Sequence, residues 1–79
     1  MYLSNEQVQI AASILRDTME VQPLTHARAC ALASEIIQDD YGFRPRKSLV
    51  LLCVKLARLQ WEAVKRGTQN HLREINQAT

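Results

Sequence analysis

The chain has 79 residues and a formal net charge of +2, and apolar residues make up 47% of it against 23% charged residues. This length allows one small domain, and this balance is typical of a folded globular chain and excludes a disordered tail. Only two glycines and two prolines interrupt a sequence rich in Ala, Leu, Gln, Arg and Glu, which excludes a β-sandwich or barrel and predicts an all-α fold of three helices.

The first predicted helix covers about residues 4–20. Ser4 and Gln7 have the spacing of a capping box, in which each side chain bonds the other residue's backbone N–H. On a helical wheel the apolar side chains that follow form one stripe, which predicts the buried side of the helix. This stripe comprises Val8, Ile10, Ala11, Ala12, Ile14, Leu15 and Met19.

The second predicted helix covers about residues 23–39. Its start has two candidate caps, Gln22 before Pro23 at the first helical position, or Thr25. Gly42 is a good terminator, because glycine accepts the left-handed conformation that follows many helices. The side chains predicted to be buried are Ala29, Cys30, Leu32, Ala33, Ile36 and Ile37.

The third predicted helix covers about residues 46–66, beginning at Pro45 or Ser48 and ending where Gly67 supplies a C-cap. Residues 68–79 carry only a thin apolar edge, and we expect a short or frayed fourth helix there. The chain is therefore predicted to form one helical domain over residues 1–67 with a labile C-terminal segment.

Helix 3 is unusually apolar, because its apolar side chains cover an arc of about 220° on the helical wheel. Two helices of about 16 residues each leave part of such an arc uncovered. We expect the uncovered edge to form a homo-oligomer interface, with the tryptophan as its anchor. The predicted interface residues are Val50, Val54, Ala57 and Trp61.

Charge is divided unevenly along the chain. Residues 1–40 hold two basic and six acidic residues, a net −4, whereas residues 41–79 hold eight basic and two acidic residues, a net +6. The densest region is the corner of residues 39–48, which has acids at the end of helix 2 and bases at the start of helix 3. Both placements oppose the helix dipole.

Two interpretations of this corner remain open. Asp39 and Asp40 can pair with the nearby bases, in the same chain or in a second subunit. Alternatively, the corner is a binding surface for an anion such as phosphate or, as we predict, for a partner protein. The predicted partner-binding residues are Tyr41, Phe43, Arg44, Arg46 and Lys47.

Nucleic-acid binding is the alternative prediction. Helix 3 begins with apolar residues where a recognition helix would carry polar ones, so any binding would use basic side chains of its solvated strip or the start of helix 2. The candidate contacts are Lys55, Arg58, Lys65, Arg66 and Arg28.

Catalytic and metal-binding patterns are absent from the sequence. His26 and Cys30 lie four residues apart, but Cys53 and His71 complete no recognisable zinc spacing. There is no glycine-rich phosphate loop and no nucleophile with a suggestive base, so we predict no enzyme activity, cofactor or metal. Both cysteines are expected to be reduced core thiols.

The longest apolar run, Leu49–Val54, has six residues, against about 18 for a membrane span. The first six residues lack the features of a signal peptide, so the chain is expected to be cytoplasmic, with no membrane partner. The sequence thus predicts a homo-oligomeric, non-enzymatic regulatory module of the small inhibitor or antirepressor type. It would mask or remodel a partner protein such as a transcriptional repressor. The alternative is a small dimeric DNA-binding transcriptional regulator.

Overall fold

A computed structural model describes the backbone of residues 3–78 and the side chains of residues 3–67. It contains three α-helices, namely α1 at Asn5–Val21, α2 at His26–Tyr41 and α3 at Lys47–Ala78. Each helix packs against the other two, and the contact between α1 and α3 is the most extensive. No strand occurs in the described residues, and the predicted all-α, three-helix fold is confirmed.

The start of α1 has the predicted capping box. The Gln7 backbone N–H donates to Ser4 Oγ at 3.2 Å, and the Ser4 backbone N–H donates to Gln7 Oε1 at 2.9 Å. These two bonds satisfy backbone donors that have no partner within the helix. They fix the point at which α1 begins.

Thr25, the second of the two predicted caps, starts α2. Its Oγ1 accepts a hydrogen bond from the Arg28 backbone N–H at 3.2 Å, so α2 begins three residues later than the predicted bound of 23. The helix ends at Gly42, which has a left-handed φ of 73° and donates its N–H to Gln38 O at 3.0 Å. The predicted role of this glycine is confirmed.

The predicted end of helix 3 at Gly67 is wrong, because α3 continues through this residue to Ala78 and no separate fourth helix follows. Among the described glycines only Gly42 has a positive φ, so Gly67 is a residue of the helix interior and not a C-cap. A glycine inside a helix costs about 1 kcal/mol relative to alanine, which good helix formers on both sides can offset. The predicted apolar edge of residues 68–79 lies outside the described side chains.

The core consists mainly of small side chains from all three helices. The largest side chains that are fully buried are Leu15, Ile37, Val54 and Cys53. Alanines fill much of the remaining contact, which lets the helix backbones approach closely. These fully buried alanines are Ala11, Ala12, Ala29, Ala33 and Ala57. Within the described chain, no helix combines the length and apolar character needed to cross a membrane.

Candidate functional site

The corner between α2 and α3 is held to the bundle by its two aromatic rings. Tyr41 and Phe43 are half-buried and pack against the core. Tyr41 Oη also donates a hydrogen bond to the backbone carbonyl of Gln7 on α1 at 3.4 Å. These rings therefore position the corner, while the charged residues around them face the solvent.

The cations of the corner have no carboxylate partner among the described residues. Arg44, Arg46 and Lys47 are exposed, and so are Asp39 and Asp40. Within residues 3–67 the ion pairs are those of the Arg16 guanidinium, at 3.2 Å from Asp17 Oδ1 and 3.7 Å from Glu20 Oε1. Pairing of acids with bases across the corner within one chain, one of the two sequence interpretations, is therefore not observed.

The start of α3 makes these cations electrostatically unfavourable. The Arg46 carbonyl accepts the N–H groups of Leu49 and Val50 at 3.0 and 3.1 Å, so α3 begins with Arg46 and Lys47 beside its N-terminus. The N-terminus of a helix carries partial positive charge, which repels nearby cations. An anionic partner at this corner would relieve that repulsion.

The predicted oligomer edge is largely covered within the chain. Val50, Val54 and Ala57 are buried in the core, Val54 with only 2% of its surface exposed. The expectation that they are uncovered is wrong, because α1 and α2 pack on this side of α3. The helical wheel predicts how wide the apolar arc of α3 is, but it does not predict which part of that arc faces the core.

Trp61, the fourth residue of the predicted edge, is half-buried. It lines a shallow cleft with Met19, Pro23 and Arg58, where the end of α1 and the following loop meet α3. Lys65 Nζ lies 5.2 Å from the centroid of its ring, within the range of a cation–π contact. Trp61 is thus partly engaged by its own chain.

A different face of α3 is only partly covered by the other helices. Its side chains recur at alternating steps of three and four residues, and we call this set the leucine stripe. Leu52 and Leu59 are 44% and 50% exposed, Ala63 is exposed, and Leu49 and Leu56 are half-buried. This stripe was not predicted as a surface from the sequence, although its spacing of three and four residues indicates one face of a helix. The leucine stripe comprises Leu49, Leu52, Leu56, Leu59 and Ala63.

The basic side chains proposed as nucleic-acid contacts do not all converge. Lys55 and Arg58 line one cleft with His26 from the start of α2. Lys65 and Arg66 are exposed further along the same helix. Arg28 is also exposed, but it lies on the outer side of α2, away from the side that buries Ala29 and Ala33.

Two groups with chemical potential remain. His26 Nε2 and Cys30 Sγ are 3.6 Å apart, but no cluster of three or more metal-binding side chains occurs in the described part of the chain. Cys53 is fully buried, and burial raises the pKa of its thiol to about 11. A thiol with such a pKa is not an activated nucleophile.

The described chain therefore defines a small three-helix protein with a charged corner and a partly covered leucine stripe. Comparisons with protein-family models, with curated proteins and with solved structures gave no match to this chain.

Proposed function

We propose that this protein is a non-enzymatic regulatory module that acts as a homo-oligomer and binds another protein. The observation that carries the proposal is the amount of apolar surface left uncovered. Within residues 3–67, seven large apolar side chains are more than a third exposed, and they lie on α1 and α3. Among them Leu52 and Leu59 share one face of α3 with the exposed Ala63, and an exposed apolar face of this kind is typical of protein interfaces. The seven side chains are Ile10, Ile14, Val21, Leu51, Leu52, Leu59 and Val64.

The positive charge of the corner indicates what kind of surface its partner would have. Arg44, Arg46 and Lys47 are exposed and unpaired within the described chain, and the last two lie at the N-terminus of α3. Carboxylates of a partner protein would pair with them and relieve their repulsion with the helix dipole. An acidic patch on a regulatory protein such as a transcriptional repressor fits this surface. The module would then act as a small inhibitor or antirepressor that masks its partner, in the cytoplasm.

A specific observation supports direct DNA binding as the second candidate. His26, Lys55 and Arg58 lie together along one cleft, which brings the start of α2 to the basic strip of α3. Contacts to phosphates use clustered cations, which Lys55 and Arg58 supply here. Two features weaken the attraction of this surface to DNA. Glu62 is exposed on α3, and the first 40 residues carry a net charge of −4.

Two double charge reversals separate these functions, and each changes the net charge equally. Arg44→Glu with Arg46→Glu alters the corner. Arg58→Glu with Lys65→Glu alters the basic strip of α3, which is its row of exposed lysines and arginines. If the corner binds a protein, the first variant should lose the partner captured by the wild type from the native host, and the second should retain it. Retained capture by the corner variant would place the binding site elsewhere. Circular dichroism should show unchanged helicity in both.

The same variants test the DNA candidate. Wild-type protein is titrated into labelled duplex DNA at about 50 and 200 mM salt, where a phosphate binder loses orders of magnitude in affinity. Salt-sensitive binding that the strip variant loses and the corner variant keeps would favour the DNA regulator. Absence of binding at both salt concentrations would exclude that candidate.

A further inference from the structure

We infer that a second copy of this chain covers the leucine stripe, with the two α3 helices antiparallel about a two-fold axis. The inference deepens the proposed function, since it rests on the homo-oligomer part of that proposal and not on what the corner binds. It replaces the predicted interface at Val50, Val54 and Ala57, which the core occupies.

The stripe has the spacing of a coiled-coil seam. Its five members repeat at steps of three, four, three and four residues, which keeps them on one side of a helix that pairs with another helix. The stripe is about 21 Å long at a rise of about 1.5 Å per residue. Leu52 and Leu59 are each close to half exposed although the core lies on the adjacent side of the same helix. The length and spacing of the stripe thus suit a partner helix. Leu49 and Leu52 also line a cavity of about 300 Å³ with Leu3 and Val8 near the start of α1.

The two sides of the stripe differ in what they offer a neighbour. On one side Gln60 accepts a hydrogen bond from Ser13 at 3.1 Å, so α1 already packs there. On the other side Lys55 and Glu62 are exposed, and neither forms an ion pair with another described residue. The start of α2 reaches this second side at His26, in a cleft with Lys55 and Leu59. Both Lys55 and Glu62 remain exposed there, so a partner helix can reach their charges.

The charges of the second side make the stripe complementary to itself. Lys55 and Glu62 are seven residues apart and so occupy equivalent positions in successive heptads. In an antiparallel pair that centres Leu56 on the partner's Leu59, Lys55 faces the partner's Glu62, and symmetry repeats this ion pair. The same register places Leu52 against the partner's Ala63. A two-fold interface needs this kind of self-complementarity.

A parallel pair fits the same residues less well. It would bring Arg66 against the partner's Arg66 at the end of the seam, where like charges repel. It would also set Lys55 beside the partner's Gln60, which α1 already binds through Ser13. The opposite charges at Lys55 and Glu62 would then have no role. The antiparallel register pairs Lys55 with the partner's Glu62 and keeps the two Arg66 side chains apart, each beside the partner's Leu49.

Sedimentation equilibrium over a range of protein concentrations tests the seam. Wild type should be a dimer, and Leu59→Asp should raise the dissociation constant at least about 100-fold, because each dimer buries this leucine twice. Leu51→Asp is the matched control, since Leu51 is an exposed leucine of α3 outside the stripe. It should leave the dissociation constant unchanged.

Charge reversal tests the register. Lys55→Glu and Glu62→Lys should each weaken the dimer about tenfold, because each makes both ion pairs repulsive. The combination of the two should restore wild-type affinity, which no pairing within one chain explains at a spacing of seven residues. Arg58→Glu, a reversal outside the seam, should have little effect.

The outcomes distinguish the inference from the proposed function. A wild-type monomer at all concentrations would overturn both the seam and the homo-oligomer part of the proposed function. An oligomer that survives Leu59→Asp would overturn the seam alone. Dissociation by Leu59→Asp without rescue by the double charge reversal would overturn the antiparallel register.

Discussion

Ser13 Oγ on α1 lies 3.1 Å from Gln60 Oε1 on α3, and its one proton is shared between this oxygen and the Gln9 carbonyl of its own helix at 2.9 Å. The Arg16 Nη1 group also donates to Gln60 Oε1 at 3.4 Å. Arg16 Nε is buried and has no hydrogen-bond partner, since its nearest carboxylate oxygen, on Glu20, is 3.7 Å away. Gln60 is therefore the acceptor that joins these polar groups of α1 to the neighbouring helix.

We expect Gln60→Ala to lower the free energy of unfolding by about 1 kcal/mol, because Ser13 and Arg16 lose their acceptor on α3. Urea denaturation measures the change. Gln38→Ala is the control, because the Gln38 side chain bonds only to Ser34 in its own helix and is exposed. Equal losses in the two variants would show that the polar contact at Gln60 contributes nothing measurable.

The two glycines should respond to alanine with opposite signs. Gly42→Ala should lower the free energy of unfolding by about 1 kcal/mol, because a left-handed φ strains an L-residue. Gly67→Ala should raise helicity and stability by up to about 1 kcal/mol, because this glycine lies within α3 and a Cβ there meets no atom within 4 Å. Thermal unfolding followed by circular dichroism measures both. Destabilisation by Gly67→Ala would mean that the helix ends at Gly67.

The burial of Val54 predicts that it supports folding and not association. Val54→Ala should lower the free energy of unfolding by about 1–3 kcal/mol, because it leaves a cavity beneath α1 and α2. Leu51→Ala, at a side chain 39% exposed on the same helix, should cost less than that. Denaturant titration compares the two variants. A weakened dimer with unchanged stability in Val54→Ala would restore the interface predicted from the sequence.

The two cysteines should differ in reactivity. Burial raises the pKa of Cys53 to about 11, so near pH 8 its thiol is protonated as well as shielded. Cys30 is only half-buried. Iodoacetamide followed by mass spectrometry should therefore label Cys30 first, with Cys53 reacting on unfolding. Labelling of Cys53 at the rate of Cys30 in native protein would contradict the packing of α3.

The same pKa predicts a loss of stability in alkali. The Cys53 thiol ionises near 9.0 in the unfolded chain and near 11 in the folded one. Above pH 9.0, ionisation of this thiol therefore favours the unfolded chain. The stability contributed by the protonated, buried thiol is complete below pH 9.0 and is lost as the pH rises toward 11. Cys53→Ala should show a shallower loss over this interval when urea denaturation is repeated at each pH.

The sequence predicted the helices well where local chemistry decides the outcome. Ser4 and Gln7 cap α1 through bonds between residues three apart, and Gly42 ends α2 through its own backbone. Both effects depend on near neighbours only. Gly67 misled the prediction because glycine is compatible with a helix end but does not impose one.

The candidate site was harder to predict because it depends on how the helices rotate against one another. Apolar residues cover so much of α3 that Val54 and Leu59 are equivalent by type, and the packing of α1 and α2 decides which is buried. Likewise, the opposite charges of Asp39 and Arg44 suggested an ion pair, whereas none forms between them in the described chain. Tertiary packing supplies what residue type alone cannot.

The alanines of the core have a consequence for how this sequence can change over evolutionary time. Each of the five alanines is fully buried between packed helices, so a larger side chain would have to displace its neighbours, and overpacking a core typically costs about 1–3 kcal/mol. Surface charges and the exposed Leu52 and Leu59 of the stripe can vary more freely without unfolding the monomer. Distant relatives should therefore keep the spacing of small residues at 11, 12, 29, 33 and 57 after most other resemblance is lost.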